Sequence, residues 1–129
     1  MLQRHKPQTV APPFSRYSHG VEAPAGARWL YVSGQVGVGP DGKLADGAEA
    51  QIEQAWRNVL SVLEAAGMGP RDLIKVTTFL LDRADLAAAR AIRERMLQGA
   101  EPASTLLIVA GLASPEWRVE IEAVAAAES

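Results

Sequence analysis

Ile52-Glu53-Gln54-Ala55-Trp56-Arg57-Asn58-Val59-Leu60-Ser61-Val62-Leu63 is followed, past Gly67 and Gly69-Pro70, by Leu73-Ile74-Lys75-Val76-Thr77-Thr78-Phe79-Leu80-Leu81. In the first segment Ile52, Ala55, Trp56, Val59, Leu60 and Leu63 recur at spacings of three and four, with Glu53, Gln54, Arg57 and Asn58 between them. That period lays one apolar stripe along an amphipathic helix. Asp46 is its candidate N-cap, with Glu49 three residues on, and Gly67 is its candidate stop. The second segment is mostly apolar and rich in β-branched residues, so it reads as a central strand.

Outward from this pair the pattern repeats. Asp82 or Asp85 opens a second helix with Leu86, Ala89, Ile92 and Met96 on one face, closed by Gly99 and Pro102. Residues 105–110 and 117–124 read as strands, the latter alternating as Val119-Glu120-Ile121-Glu122. Towards the N-terminus, Arg28-Trp29-Leu30-Tyr31-Val32-Ser33 reads as a strand that continues towards Val38, and residues 17–22 as a weaker one. Residues 1–13, broken by Pro7, Pro12 and Pro13, read as an extended arm ahead of a single domain over residues 14–129. The order ββαβαββ predicts an α+β fold, one mixed sheet with two helices on one face. The other face then lacks a cover, and its apolar positions predict self-association.

Composition narrows the function classes. The chain has 129 residues, 48% hydrophobic and 22% charged, a mix that fits one globular domain. It contains no Cys, which excludes disulfides, thiolate ligands and a Cys nucleophile. Two His, of which His5 lies in the arm, argue against a His-based metal site. A net charge of −2 offers no basic footprint for nucleic acid. No apolar run has the length of a membrane span, and the N-terminus lacks the apolar core of a signal peptide. The expectation is a cytoplasmic protein with no membrane partner.

Several blocks in this order resemble the Rid family, the reactive intermediate deaminases also called YjgF-type. They are Tyr17-Ser18-His19-Gly20, Val32-Ser33-Gly34-Gln35, Glu64-Ala65-Ala66-Gly67, Val76-Thr77-Thr78-Phe79-Leu80, Pro102-Ala103-Ser104-Thr105 and Val119-Glu120-Ile121-Glu122-Ala123-Val124-Ala125. The resemblance implies a chorismate-mutase-like subunit, a homotrimer, and a small-molecule cleft between subunits. It also implies hydrolysis of enamines and imines to a carbonyl compound and ammonia, with no metal and no cofactor. A non-catalytic ligand-binding or interaction protein on the same scaffold is the alternative, since fold alone does not set function.

The same resemblance nominates site residues. Glu120 matches the position that orients water, and a carboxylate there can take a proton from the attacking water. Glu122 shares its strand face. Tyr17 matches a cleft tyrosine, while Ser33, Ser104 and Thr105 are candidate ligand contacts. The departure is at Ser104. The deaminase branch has an Arg there that grips the substrate carboxylate, and a Ser hydroxyl supplies no charged fork. This predicts little or no activity on 2-aminoacrylate. Arg90, on the second helix, either supplies the absent cation or lies on a solvated face, and the helix pattern places it at the exposed groove edge.

Overall fold

The computed structural model describes residues 1–128. Its strands are β1 (Gln3–His5), β2 (Gly20–Glu22), β3 (Arg28–Gln35), β4 (Leu73–Leu80), β5 (Ala103–Ile108) and β6 (Val119–Ala127), with helices α1 (Ala48–Ala65) and α2 (Leu86–Leu97). The main sheet has the order β3-β6-β4-β5. It is mixed: β6 runs antiparallel to β3 and β4, and β4 runs parallel to β5. The fold is α+β, as the sequence predicts.

Alternation assigns each strand two faces. Val76, Thr78 and Leu80 of β4, with Val119, Ile121, Ala123 and Ala125 of β6, form the buried face under the helices. Onto it α1 lays Ile52, Ala55, Trp56, Val59 and Leu63, each at most 1% exposed. These are positions of the stripe read from the sequence. Polar side chains then tie α1 to the loops around it. Gln51, also buried, donates to the Glu116 carbonyl (3.3 Å) and accepts from the Arg118 N–H (2.8 Å), fixing the entry into β6. Asn58 donates to the carbonyls of Val36 and Val38, holding the loop after β3.

Three local readings change. The N-cap of α1 is Gly47, at φ 89, and not Asp46. This left-handed backbone favours glycine, so the chain turns into the helix one residue later than the side-chain signal indicates. Residues 3–5 are an ordered strand, pairing antiparallel with β2 in a separate two-stranded sheet. His5 there meets Glu22 at 3.1 Å. A three-residue polar strand carries no apolar alternation, which is why periodicity does not find it. Finally, β5 begins at Ala103, because its parallel pairing with β4 starts there, opposite Lys75.

Among the described residues no helix covers the opposite face of the sheet. Trp29, Tyr31 and Leu107 stand on it with 54%, 75% and 46% of their surface exposed. Phe79 and Val124 lie half-buried on the same face.

Candidate functional site

The N-terminal segment delivers Tyr17 to the start of β5. Ser18, 1% exposed, donates its N–H to the Pro102 carbonyl (3.1 Å) and its hydroxyl to the Glu101 carbonyl (2.6 Å). A parallel bridge from Ser18 to Ala103 completes the attachment. Tyr17, one residue earlier, is half-buried. Its phenol oxygen accepts the Phe14 N–H at 3.2 Å, and its ring meets His19 edge-on at 6.3 Å between centroids.

Ser104 pairs in register with Val76, so its side chain lies on the helix side of the sheet. There α2 supplies two cations. Arg90 is exposed at the groove edge, as expected. Arg93, three residues on, is buried, 5% exposed. Its Nη1 donates to Ser104 Oγ at 3.3 Å and its Nη2 to Ser15 Oγ at 2.7 Å. Burial pulls Arg93 below the ordinary arginine value, opposed by the negative charge of Glu94 and reinforced by Arg90. Tyr17, Ser104, Arg90 and Arg93, with Phe14, Ser15 and Leu106, line a pocket of about 210 Å³.

The remaining candidates lie across the sheet. Glu120 is in register with Phe79, and Thr105 with Thr77, both on the open face. Ser104 and Thr105 therefore point to opposite sides, as neighbours in a strand must. A single chain does not direct both into one pocket. The Thr105 hydroxyl already accepts from Lys75 Nζ at 2.6 Å. Glu120 is half-buried, and its carboxylate occupies the space above Gly34 that a Cβ would fill. This is the close approach that explains the glycine in Val32-Ser33-Gly34-Gln35. Ser33 is exposed beside it in the chain, and Glu122 is exposed further along β6. Among the described residues neither Glu120 nor Glu122 enters a salt bridge.

Among the described residues no group of His, Asp or Glu is gathered as a metal site, and no helix is long and apolar enough to cross a membrane.

Residues 8–127 match the family described as Endoribonuclease L-PSP. The chain belongs to this family, which includes the Rid proteins. This Rid chain is 37% identical over 111 residues to the mouse 2-iminobutanoate/2-iminopropanoate deaminase, covering 84% of this chain and 79% of that protein. The Salmonella typhimurium protein of the same name is 35% identical, covering 74% and 77%. Among solved structures, the Yersinia pestis Rid-family protein YyfB, described as of unknown function, superposes with a TM-score of 0.88 at 37% identity, covering 96% and 97%. Escherichia coli TdcF with bound serine superposes with a TM-score of 0.74 at 27% identity, covering 98% and 99%.

Sequence reasoning missed Arg93 in this Rid site, although a signal exists. Ala89, Arg93 and Leu97 are spaced by four, so the helical period puts Arg93 on the inward face between two apolar residues. A charged side chain at an inward position is easily discounted, because burial of Arg is rare.

Proposed function

We propose that this Rid chain hydrolyses small enamines or imines to a carbonyl compound and ammonia, in a cleft completed where copies of the chain meet in a cytoplasmic homotrimer. The observation that carries this reading is the Glu120 carboxylate. It stands over Gly34 on the open sheet face, without a cationic partner among the described residues. It is therefore free to accept a proton. The similarity to deaminases of 2-iminobutanoate and 2-iminopropanoate supplies the reaction class.

The chemistry follows from one base and one pocket. Glu120 takes a proton from water as the water oxygen bonds to the imine carbon. The C=N electron pair moves to nitrogen, which takes that proton back from Glu120. In the resulting carbinolamine Glu120 passes the hydroxyl proton to the amine nitrogen, the C–N bond breaks, and ammonia departs as the C=O bond forms. Each step uses only acid–base chemistry, which positioned carboxylates and hydroxyls supply. Tyr17 walls the ligand in this scheme, and Ser104 donates a hydrogen bond to it. Ser33 and Thr105 contribute from the open-face side.

The division of these residues between two faces of one sheet gives the assembly its role. A second copy covering the open face of the first brings Glu120 of one chain towards the Tyr17–Ser104 pocket of another. The exposed Trp29, Tyr31 and Leu107 give that covering an apolar driving force. Ser104 favours one other reading, a non-catalytic ligand binder, because the charged fork at that position is absent.

One assay separates the two. Imines are formed in solution, one from alanine with an amino-acid oxidase and one without a carboxylate, and carbonyl release is followed against the uncatalysed rate. Faster release from either imine in the presence of the protein is the expected result. Release at the buffer rate from both contradicts the hydrolase reading and leaves the binder.

A further inference from the structure

Arg93 is the only buried charged side chain among the described residues. Other arginines there find carboxylates: Arg57 and Arg95 on Glu53, and Arg118 on Asp85. No described carboxylate pairs with Arg93. Its terminal nitrogens donate to two serine hydroxyls, and its Nε is buried with no hydrogen-bond partner. A guanidinium has five N–H donors and stays cationic at neutral pH. Burying such a charge without a counter-charge is unfavourable, so the site as it stands is short of one anion.

The surroundings define that anion. Ser15 and Ser104 hold the two terminal nitrogens and so fix the plane of the fork. Each serine accepts from Arg93 and keeps its own O–H to donate to a ligand. Arg90 adds a second positive charge at the rim, and Tyr17, Leu106 and the exposed Phe14 add the apolar part of a mostly polar lining. A pocket of about 210 Å³ with a planar fork at its base suits a short carboxylate.

We propose that Arg93 anchors the carboxylate of a small 2-oxo or 2-imino acid, from helix α2 and through the space beside Ser104. The anchor is thus displaced from the strand to the helix. The inference rests on the cleft reading above and narrows its substrate class to carboxylates. It reverses the sequence expectation of little or no activity on 2-aminoacrylate.

The test uses the full chain with pyruvate and methyl pyruvate as probes. Binding is followed by the side-chain Nε–Hε resonance of Arg93 and by calorimetry. Pyruvate should shift that resonance, and the uncharged ester should not. Arg93→Gln should weaken pyruvate binding by about thirtyfold or more, the loss typical of a buried charged contact. Light scattering and thermal melting monitor whether Arg93 is merely a strut between Ser15 and Ser104. A strut's loss would lower the melting temperature and leave the affinity of the folded fraction unchanged. Where Arg93→Gln fails to fold, Arg93→Lys carries the test: it keeps the charge and loses the fork, so binding must weaken. The double variant Arg93→Gln/Ser104→Arg, which returns the cation to the strand, should regain pyruvate binding. Undiminished binding by the folded Arg93 variants, or ester binding equal to that of pyruvate, overturns the inference and leaves the cleft reading in place. Binding of neither probe, with hydrolysis of the carboxylate-free imine retained, overturns the inference alone. Binding of neither, with no hydrolysis, overturns both.

Discussion

Glu120→Gln is expected to lower kcat for imine hydrolysis by about 10²–10⁴-fold, the range for loss of a general base. The substitution is isosteric, so the amide keeps the shape and much of the hydrogen bonding of the side chain. What it loses is the capacity to take a proton from water. The effect should therefore fall on kcat, with KM nearly unchanged, because substrate binding belongs to the Tyr17–Ser104 side. Gly34→Ala should act in the same direction by a different route. Its methyl group would enter the space of the Glu120 carboxylate and push the base from its position. Steady-state kinetics on both variants, with light scattering as a control for assembly, checks the prediction. A change in kcat below about tenfold for Glu120→Gln would remove Glu120 from the mechanism.

The second large effect concerns the open face. Val124 lies near the middle of it, on β6, in register with Tyr31 of β3 and with Lys75 of β4. In an isolated chain this position is half-solvated, and a Lys there should change stability by no more than about 0.5 kcal/mol. In an assembly that buries the face, Val124→Lys places an unpaired charge beside Lys75 in a water-excluded interface. Such a charge costs several kcal/mol per chain, repeated at every copy. Val124→Lys is thus expected to sediment as a 13.7 kDa single chain and to lose hydrolysis, while the wild type runs as a homotrimer. A wild type that is already monomeric at micromolar concentration contradicts the assembly.

The fold was legible because the strongest terms are periodic. Ile52, Trp56, Val59 and Leu63 must share a helix face to be buried, and the alternation of Val119 to Glu122 assigns β6 its two sides. The same alternation separates Ser104 from Thr105, so the opposition of these neighbours was implicit once β5 was known to include both. Features with no period were not legible. The strand Gln3–His5 is three polar residues, and only its partner Gly20–Glu22 makes it a strand. The left-handed turn at Gly47 depends on how the preceding loop closes.

The site shows the same division. Tyr17, Ser104 and Glu120 are nominated by resemblance; Tyr17 and Ser104 line one pocket and Glu120 stands over Gly34 on the open face. Arg90 lies at the groove edge as its helix position implies. Arg93 escaped because apolar stripes are read from apolar residues, and the physical reason to bury a cation is a pocket that the sequence does not display. Its neighbours Ser15 and Ser104 are far apart in sequence and meet only through the attachment of Ser18 to the start of β5.

In the proposed trimer the reactive cleft is shared, with the Tyr17–Ser104 pocket from one chain and Glu120 from another. Mixed assemblies test it most directly. Ser104→Phe fills the pocket of one chain, and Glu120→Gln removes the base of another. Each variant alone should be inactive and still trimeric. Unfolded and refolded together in equal amounts, they should regain about a quarter of wild-type activity, because random assortment in a cyclic assembly pairs an intact pocket with an intact base in that fraction of clefts. Mixed trimers that form and remain as inactive as either parent would contradict the claim and place the whole site within one chain.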